Sequence, residues 1–439
     1  MKIAIIGAGV SGLSAAWALR NRRNVTLFES AARLGGHSAT VDIDYDGVKI
    51  AVDTGFIVYN THNYPNLTQF FAHLGIETYA SDMSFGVSRG EGREWSSVGI
   101  GGVFAWRRNL LNPAFLGMLG DVARFNAQAR SDLRSGKVDG KTLGIYLEGL
   151  GVSDRFRRDY ILPMGAAIWS TPEDDILDFP AASFLRFFDN HRLMHIDRPI
   201  WRSVVGGSRS YVAAIGAALG ARAKVDHPVV RARFEPQGGA TLFGKDGEIG
   251  YYDAVVFACH SDQALGMIEN APADLRAALH GIRFAENDVV LHRDARLMPL
   301  RRSAWASWNI AANPTGAVTV SYWMNLLQNI DRAYPLFVTL NPVDPIEETK
   351  IFGRYRYAHP QFDKAALAGQ AQLSALQGRG GIHFAGAWLG FGFHEDGLKS
   401  GLRAALALGG EIPWQFDDAP LQSQPWRALE RGEVLHDGA

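Results

Sequence analysis

The alternation of apolar and polar positions near the start of the chain changes period within thirty residues. Residues 2–6, KIAII, form a short β-branched apolar run, the pattern of a parallel strand buried on both faces. Residues 11–22, SGLSAAWALRNR, then repeat small and apolar positions at helical spacing. Residues 24–30, NVTLFES, return to an extended run, so the predicted order is strand, turn, helix, strand. Further on, 229–234 (VVRARF), 240–244 (ATLFG) and 253–259 (DAVVFAC) read as three strands around a glycine-rich turn. Residues 382–386, IHFAG, predict a late strand, followed by a glycine-rich bend and a helix starting near Gly397.

The turn between the first strand and helix is GAGVSG. Gly7 permits the tight turn, Gly9 lets backbone approach a pyrophosphate, and Gly12 lets helix and strand pack closely. The phosphates would then rest on the helix N-terminus at Val10 and Ser11. Glu29, followed by Ser30 at the end of the second strand, has the spacing of a carboxylate that accepts from an adenosine ribose. A dinucleotide is therefore expected.

Composition narrows the remaining chemistry. The 439 residues are 47% hydrophobic and 20% charged, enough for a large core in two or three structural units. Lys+Arg 44 against Asp+Glu 45 leaves a formal charge of -1, with no global field for nucleic acid. The single cysteine, Cys259, excludes an internal disulfide and a cysteine-cluster metal site, and suits a reducing cytosol. No metal is expected. The N-terminus lacks a signal-peptide pattern, and no apolar run reaches the roughly 20 residues of a membrane span.

The segment after Glu29 separates flavin from nicotinamide. Residues 30–41, SAARLGGHSATV, resemble the E-x(3)-R-x-G-G-R-x-x-T extension of the FAD-containing amine oxidase and phytoene desaturase superfamily. That resemblance implies FAD as cofactor. Arg33, Leu34, Gly35 and Gly36 match, whereas His37 replaces an arginine. Arginine is always charged and bidentate toward phosphate; histidine, with an unperturbed pKa of about 6.5, gives one donor at a time. His37 thus either faces the flavin ring edge or is a hydrogen-bonded loop residue. The resemblance further implies that residues at Thr54, Gly55 and Phe56, at Val229 near the adenine, at Ala258 and His260, and at Gly386 and Ala387 approach the cofactor. Residues 392–401, GFHEDGLKSG, would present Gly397 and Leu398 backbone NH groups to the flavin. Asp396 then reads as an N-cap, Glu395 as a cap partner or ribityl ligand, and His394 as the residue nearest the ring.

The implied fold class is α/β: a discontinuous Rossmann-like FAD-binding domain of the glutathione reductase and amine oxidase type, with an inserted α+β substrate domain. The FAD-binding domain would comprise 1–85, 200–270 and 376–415, the substrate domain 86–199 and 271–375, and a C-terminal tail 416–439. The insert is rich in aromatic residues, most of them core and some lining a substrate cavity. Within it, residues 104–126 mix Arg107 and Arg108 with Phe, Leu and Met, which fits an interfacial amphipathic segment or a buried helix with an arginine edge.

Residues 52–67, 81–88, 166–171, 307–310, 322–328 and 357–362 narrow the resemblance to a bacterial family of amine oxidase-like flavoproteins. That family accompanies cyclopropane fatty-acyl phospholipid synthases and is implicated in making methyl-branched and furan fatty acids. It implies a lipid acyl chain as substrate, a cytoplasmic protein that meets the inner membrane face, and a cyclopropane synthase-like methyltransferase as partner. A lysine that holds water near flavin N5, usual in amine oxidases, has no counterpart; residues 291–299 offer His292, Arg293 and Arg296 instead. Pocket-facing polar residues that could carry catalysis are Tyr59, Asn60, His260, Asn309, Tyr322, Asn325 and His394. Three readings stand: desaturation or oxidation of an acyl chain, oxidation of a small amine, and a non-catalytic flavoprotein that binds the methyltransferase.

Overall fold

The computed structural model describes residues 1–90, 93–169, 171–195, 199–312 and 318–418. Most of the expected C-terminal tail therefore lies outside the described residues. The opening strand–turn–helix forms as its pattern dictates: Lys2–Ile6 is a strand and Val10–Leu19 a helix. The strand is the centre of a five-stranded parallel sheet, ordered Ala223–Lys224, Asn24–Phe28, Lys2–Ile6, Ala254–Phe257, Ile382–Phe384. Its apolar residues are covered on both faces; Ile3, Ala4 and Ile5 are fully buried. Each such isoleucine side chain stabilises the fold by about 1.5–3 kcal/mol.

Three antiparallel strands, Arg231–Phe234, Ala240–Gly244 and Gly247–Tyr252, form a second sheet. All three strands expected between 229 and 259 form, the last of them, Ala254–Phe257, in the parallel sheet, while residues 247–252, GEIGYY, add a strand that the pattern did not show. Gly247 and Gly250 adopt φ of 124° and 131°, and a bulge interrupts the pairing at Leu242/Phe243, so glycine replaced the usual strand signal.

A seven-stranded sheet is ordered Ile351–Pro360, Phe284–His292, Phe337–Leu340, Val318–Trp323, Trp308–Ala312, Phe85–Ser88, Glu94–Ser96. Helices Pro113–Arg134, Leu143–Leu150, Leu162–Trp169 and Ala181–Asn190 join it in one apolar core that includes Phe115, Phe125, Phe156, Phe184 and Phe188. Residues 104–126 divide. Arg107–Leu111 is a single 3-10 turn, and the Asn112 side chain accepts from the Ala114 and Phe115 backbone to begin a new helix with Pro113 at its first position. That helix buries Phe115, Met118, Phe125 and Ala129 on one face, which packs into the core, and leaves its other face exposed. No described helix is long and apolar enough to cross a membrane.

The last helix, His394–Ala407, starts earlier than its glycine suggests. Asp396 sits inside its first turn, with one carboxylate oxygen accepting from the Phe391 and Phe393 backbone at 3.0 Å each. It reaches back to the cap rather than being the cap. Gly397 lies within the helix because it crosses the first helix there: a methyl group on it would come 2.7 Å from Val10 Cγ1. One turn on, a methyl on Gly401 would fall 2.1 Å from the Ser11 carbonyl oxygen.

Candidate active site

The edge of the parallel sheet assembles a cradle from segments far apart in sequence. The Gly7 NH donates to Phe28 at 2.8 Å, and a methyl on Gly12 would stand 1.8 Å from the Gly7 carbonyl oxygen. Ala258 closes the other side, donating to Ile6 at 2.8 Å, with Cys259 and His260 next in the chain. Gly9, in contrast, faces open space, and the helix it begins has no side-chain cap. Room beside uncapped NH groups is what a pyrophosphate needs.

Glu29 Oε2 accepts from Ala8 at 2.8 Å and Oε1 from Ala31 at 2.9 Å, which fixes the carboxylate beside the turn. Exposed Ser30 touches the same carboxylate. The segment before Val229 runs alongside: His227 donates to the Glu29 carbonyl at 2.9 Å. The glycine loop is tied down in turn, Gly35 donating to Ala8 at 2.8 Å while Arg33 Nη2 donates to Gly36 at 2.8 Å. A methyl on Gly36 would lie 3.1 Å from Gly9 Cα, and Leu34 packs toward the helix Arg209–Leu219 at Gly216. Gly386 donates to Ser400, and a methyl on Gly397 would sit 3.6 Å from Ala387, so the C-terminal motif closes on the first helix. Leu398, fully buried, accepts from Ser14 at 3.2 Å.

Beyond the glycine loop lies a group of uncharged rings. Phe56 donates its NH to His37 at 2.9 Å, and its ring stacks on His394 with centroids 3.7 Å apart and planes 10° apart. His394 Nε2 meets the Tyr211 hydroxyl at 2.7 Å, and that hydroxyl also contacts Ser38. Burial pulls His394 down to about 3, so the imidazole is neutral at physiological pH and resists protonation. Tyr211 is pushed well above its ordinary value by the same burial.

A second group surrounds His37, whose ring lies 5.0 Å from Tyr357, 5.7 Å from His359 and 6.0 Å from His260. Burial, helped by the neighbouring imidazoles, holds His37 at about 3, and burial holds His359 at about 4. Asn287 Nδ2 donates to His359 Nδ1 at 3.0 Å, which places the His359 proton on Nε2. The Tyr357 hydroxyl pairs with Thr54 at 2.7 Å, and His260 stacks on Phe284 at 4.2 Å. His37 Nε2 is buried without a hydrogen-bond partner. An orphaned polar atom at a cradle of this shape is a place for a ligand.

The other residues expected here sit elsewhere in the network. Tyr59 is buried with its ring edge on Phe71 and its hydroxyl toward Thr78. Asn60 Oδ1 accepts from the Asn63 NH at 2.8 Å. Tyr322 lies on strand Val318–Trp323 against Trp308. Asn325 donates to Ile330, Asp331 and Tyr334 and accepts from Leu336, so its amide braces a loop. Asn309 likewise bonds Ala306 and Ser321. None of these five shares a hydrogen bond or ring contact with His37 or His394 among the described residues.

Glu395 is 2% exposed and turns away from the cradle. It accepts from the Asn66 NH at 3.0 Å, Asn66 Nδ2 at 2.9 Å and the Leu67 NH at 2.9 Å, at the start of helix Pro65–Leu74. Ser38, Tyr211, Tyr357 and His359 join the site without having been expected there. Tyr357 and His359 carried a signal, since alternate residues of one strand share a face. Tyr211 carried none.

The residues fit FAD: Glu29 for a ribose, Gly9 and the first helix turn for the phosphates, and Gly36, His37 and Phe56 for the ribityl chain and ring; the Gly397 NH, expected to face the flavin, donates instead to the Phe393 carbonyl at 3.0 Å, because the helix has already begun three residues earlier. Fold and cradle together define a dinucleotide-binding protein of the amine oxidase architecture. The NAD(P)-binding Rossmann-like domain family matches residues 5–74. Putrescine oxidase, solved with putrescine bound, shares the fold at TM-score 0.67 and 15% identity over 93% of this chain and 98% of that one. A fatty acid isomerase of P. acnes that produces CLA aligns at TM-score 0.64, 15% identity and the same coverage, 93% and 98%. Cyclohexylamine oxidase from Brevibacterium oxydans IH-35A aligns at TM-score 0.64 and 16% identity, again over 93% and 98%. No curated protein matches the sequence.

Proposed function

We propose that the protein is an FAD-dependent oxidoreductase that desaturates or oxidises a fatty acyl chain, methyl-branched in the form the sequence resemblance implies, of membrane phospholipid. The observation that carries the reading is the charge state of the rings around His394. Phe56, Tyr211, Phe393 and Phe187 surround two imidazoles, His394 and His191, which burial holds at about 3 and about 4. The two carboxylates after His394 point into backbone NH groups. An uncharged aromatic wall suits an acyl chain, whereas a cationic amine gains from a carboxylate facing it.

FAD, when bound, supplies the hydride acceptor. The chain's own part is to position and to exclude water. Phe56 and Tyr211 hold the His394 imidazole in one orientation, and Ser38 extends that chain of hydroxyl groups. Neutral His37, in place of an arginine, offers a single hydrogen bond near the cofactor without adding fixed positive charge. Apolar residues keep competing water from the reacting carbon.

Anaerobic mixing of FAD-loaded protein with detergent-solubilised phospholipid should bleach the flavin absorbance, and a panel of polyamines should not. Bleaching by a polyamine and not by lipid would sink this reading in favour of amine oxidation. Bleaching by neither would favour a non-catalytic flavoprotein that binds a cyclopropane synthase-like methyltransferase.

A further inference from the structure

Away from the cradle, two stretches distant in sequence, 99–111 and 300–304, expose large aliphatic side chains on elements that contact one another. The turn Arg107–Leu111 leaves Leu111 89% exposed, the helix Gly99–Val103 leaves Ile100 82% exposed, and Leu300, just before the turn Arg302–Ala304, is 77% exposed. Their association is built in. The buried carboxylate of Glu94 accepts from the Leu300 NH at 2.7 Å and the Arg301 NH at 3.1 Å. Helix Gly99–Val103 packs on turn Arg302–Ala304, and the Arg301 guanidinium lies 4.0 Å over the Trp106 ring. A buried anion thus fixes the backbone of a loop whose leucine stays in water.

The segments that carry these side chains bear charge of one sign. Residues 95–120 and 295–303 contain no Asp or Glu. Arg107, Arg108, Arg301 and Arg302 are exposed, and none of them forms an ion pair among the described residues. Single exposed leucines are ordinary. Exposed aliphatic side chains on linked elements, ringed by unpaired arginines on a chain of net charge -1, are a local departure that matches one environment. At an anionic bilayer the arginines meet phosphates while the leucines and isoleucine enter the acyl boundary.

We propose that this face, carrying Ile100, Leu111 and Leu300 with Arg107, Arg108 and Arg301, docks the protein on an anionic phospholipid surface. The inference goes beyond the reaction proposed above and stands whatever substrate the site oxidises. FAD-loaded protein should sediment with vesicles of phosphatidylcholine containing roughly a third phosphatidylglycerol and remain in solution with phosphatidylcholine alone. Raising salt from about 50 mM to about 500 mM should release it, because screening shortens the reach of the arginines. Arg107→Glu/Arg108→Glu, and separately Leu111→Asp/Leu300→Asp, should each weaken vesicle partition by roughly tenfold or more, with unchanged flavin spectrum and thermal unfolding. Absence of sedimentation with the anionic vesicles overturns the proposal and turns attention to a protein partner. Equal sedimentation of wild type and both variants overturns it as well.

Discussion

Tyr211 and His394 meet through a hydrogen bond of 2.7 Å between the phenolic oxygen and imidazole Nε2, 183 residues apart in the chain. The bond joins helix Arg209–Leu219 to the first residue of helix His394–Ala407 inside the core. Tyr211→Phe removes the hydroxyl and leaves Nε2 only the longer contact to Ser38 Oγ at 3.4 Å, at a cost of about 1 kcal/mol. The variant should keep FAD, melt lower and reduce its flavin more slowly. Thermal unfolding and stopped-flow reduction measure the two effects, and wild-type values in both would show that the pair orients nothing.

Glu395 separates structure from cofactor binding. Glu395→Ala strips three hydrogen bonds from the start of helix Pro65–Leu74 and should cost about 3 kcal/mol in urea unfolding of the apoprotein. A variant with wild-type stability and weakened FAD binding would instead place Glu395 on the ribityl chain.

Gly9 and Gly401 should respond in opposite ways to alanine. Gly9 has φ of -70° and open space, so Gly9→Ala leaves the apoprotein within about 1 kcal/mol of wild type while its methyl group takes phosphate room. FAD affinity, followed by fluorescence quenching, should fall at least tenfold. Gly401→Ala drives a methyl to 2.1 Å from the Ser11 carbonyl oxygen, so it should lower soluble expression and melting temperature before any effect on cofactor is read.

Two sets of buried groups give stability opposite pH slopes. His37 and His394 sit at about 3, and His191, His292 and His359 at about 4, against about 6.5 in an unfolded chain. Their contribution is present above pH 6.5 and is lost as pH falls toward 4, because the unfolded state binds the protons first. Asp53 and Asp396, raised by burial to about 6 and about 7, contribute below their unfolded pKa and lose that contribution as pH rises through those values. The histidines outnumber the carboxylates, so apoprotein melting temperature should climb from pH 4 to pH 6. Asp396→Asn should gain on wild type as pH rises from 4 to 7, and a difference that shrinks over that interval would contradict the raised carboxyl.

The sequence exposed the cradle because its parts answer to local rules. Gly7, Gly9 and Gly12 are spaced by the turn they make, Glu29 by the length of one helix and strand, and Gly397 by the helix it crosses. The ring cluster answered to no such rule. Tyr211 is one aromatic among small residues of a helix, and its partner His394 lies on another domain segment, so only folding shows the pair. Strand Gly247–Tyr252 was masked by its glycines, and the start of helix His394–Ala407 by the glycine inside it. Residues 104–126, read as one segment, divide at Asn112, whose side chain caps a helix that turns one face, with Phe115, Met118, Phe125 and Ala129, onto the core.

The crossing of helix Val10–Leu19 by helix His394–Ala407 also sets an order in time. A ribosome has translated most of the protein before Ile382–Phe384 can complete the parallel sheet and Gly401 can settle against Ser11. Strand Lys2–Ile6 pairs with Asn24–Phe28 early, but helix Val10–Leu19 waits for a partner nearly 400 residues on, a slow, non-local closure. Cofactor capture would then wait for residues 382–401, and a chain stopped short of residue 400 should be unable to retain a flavin.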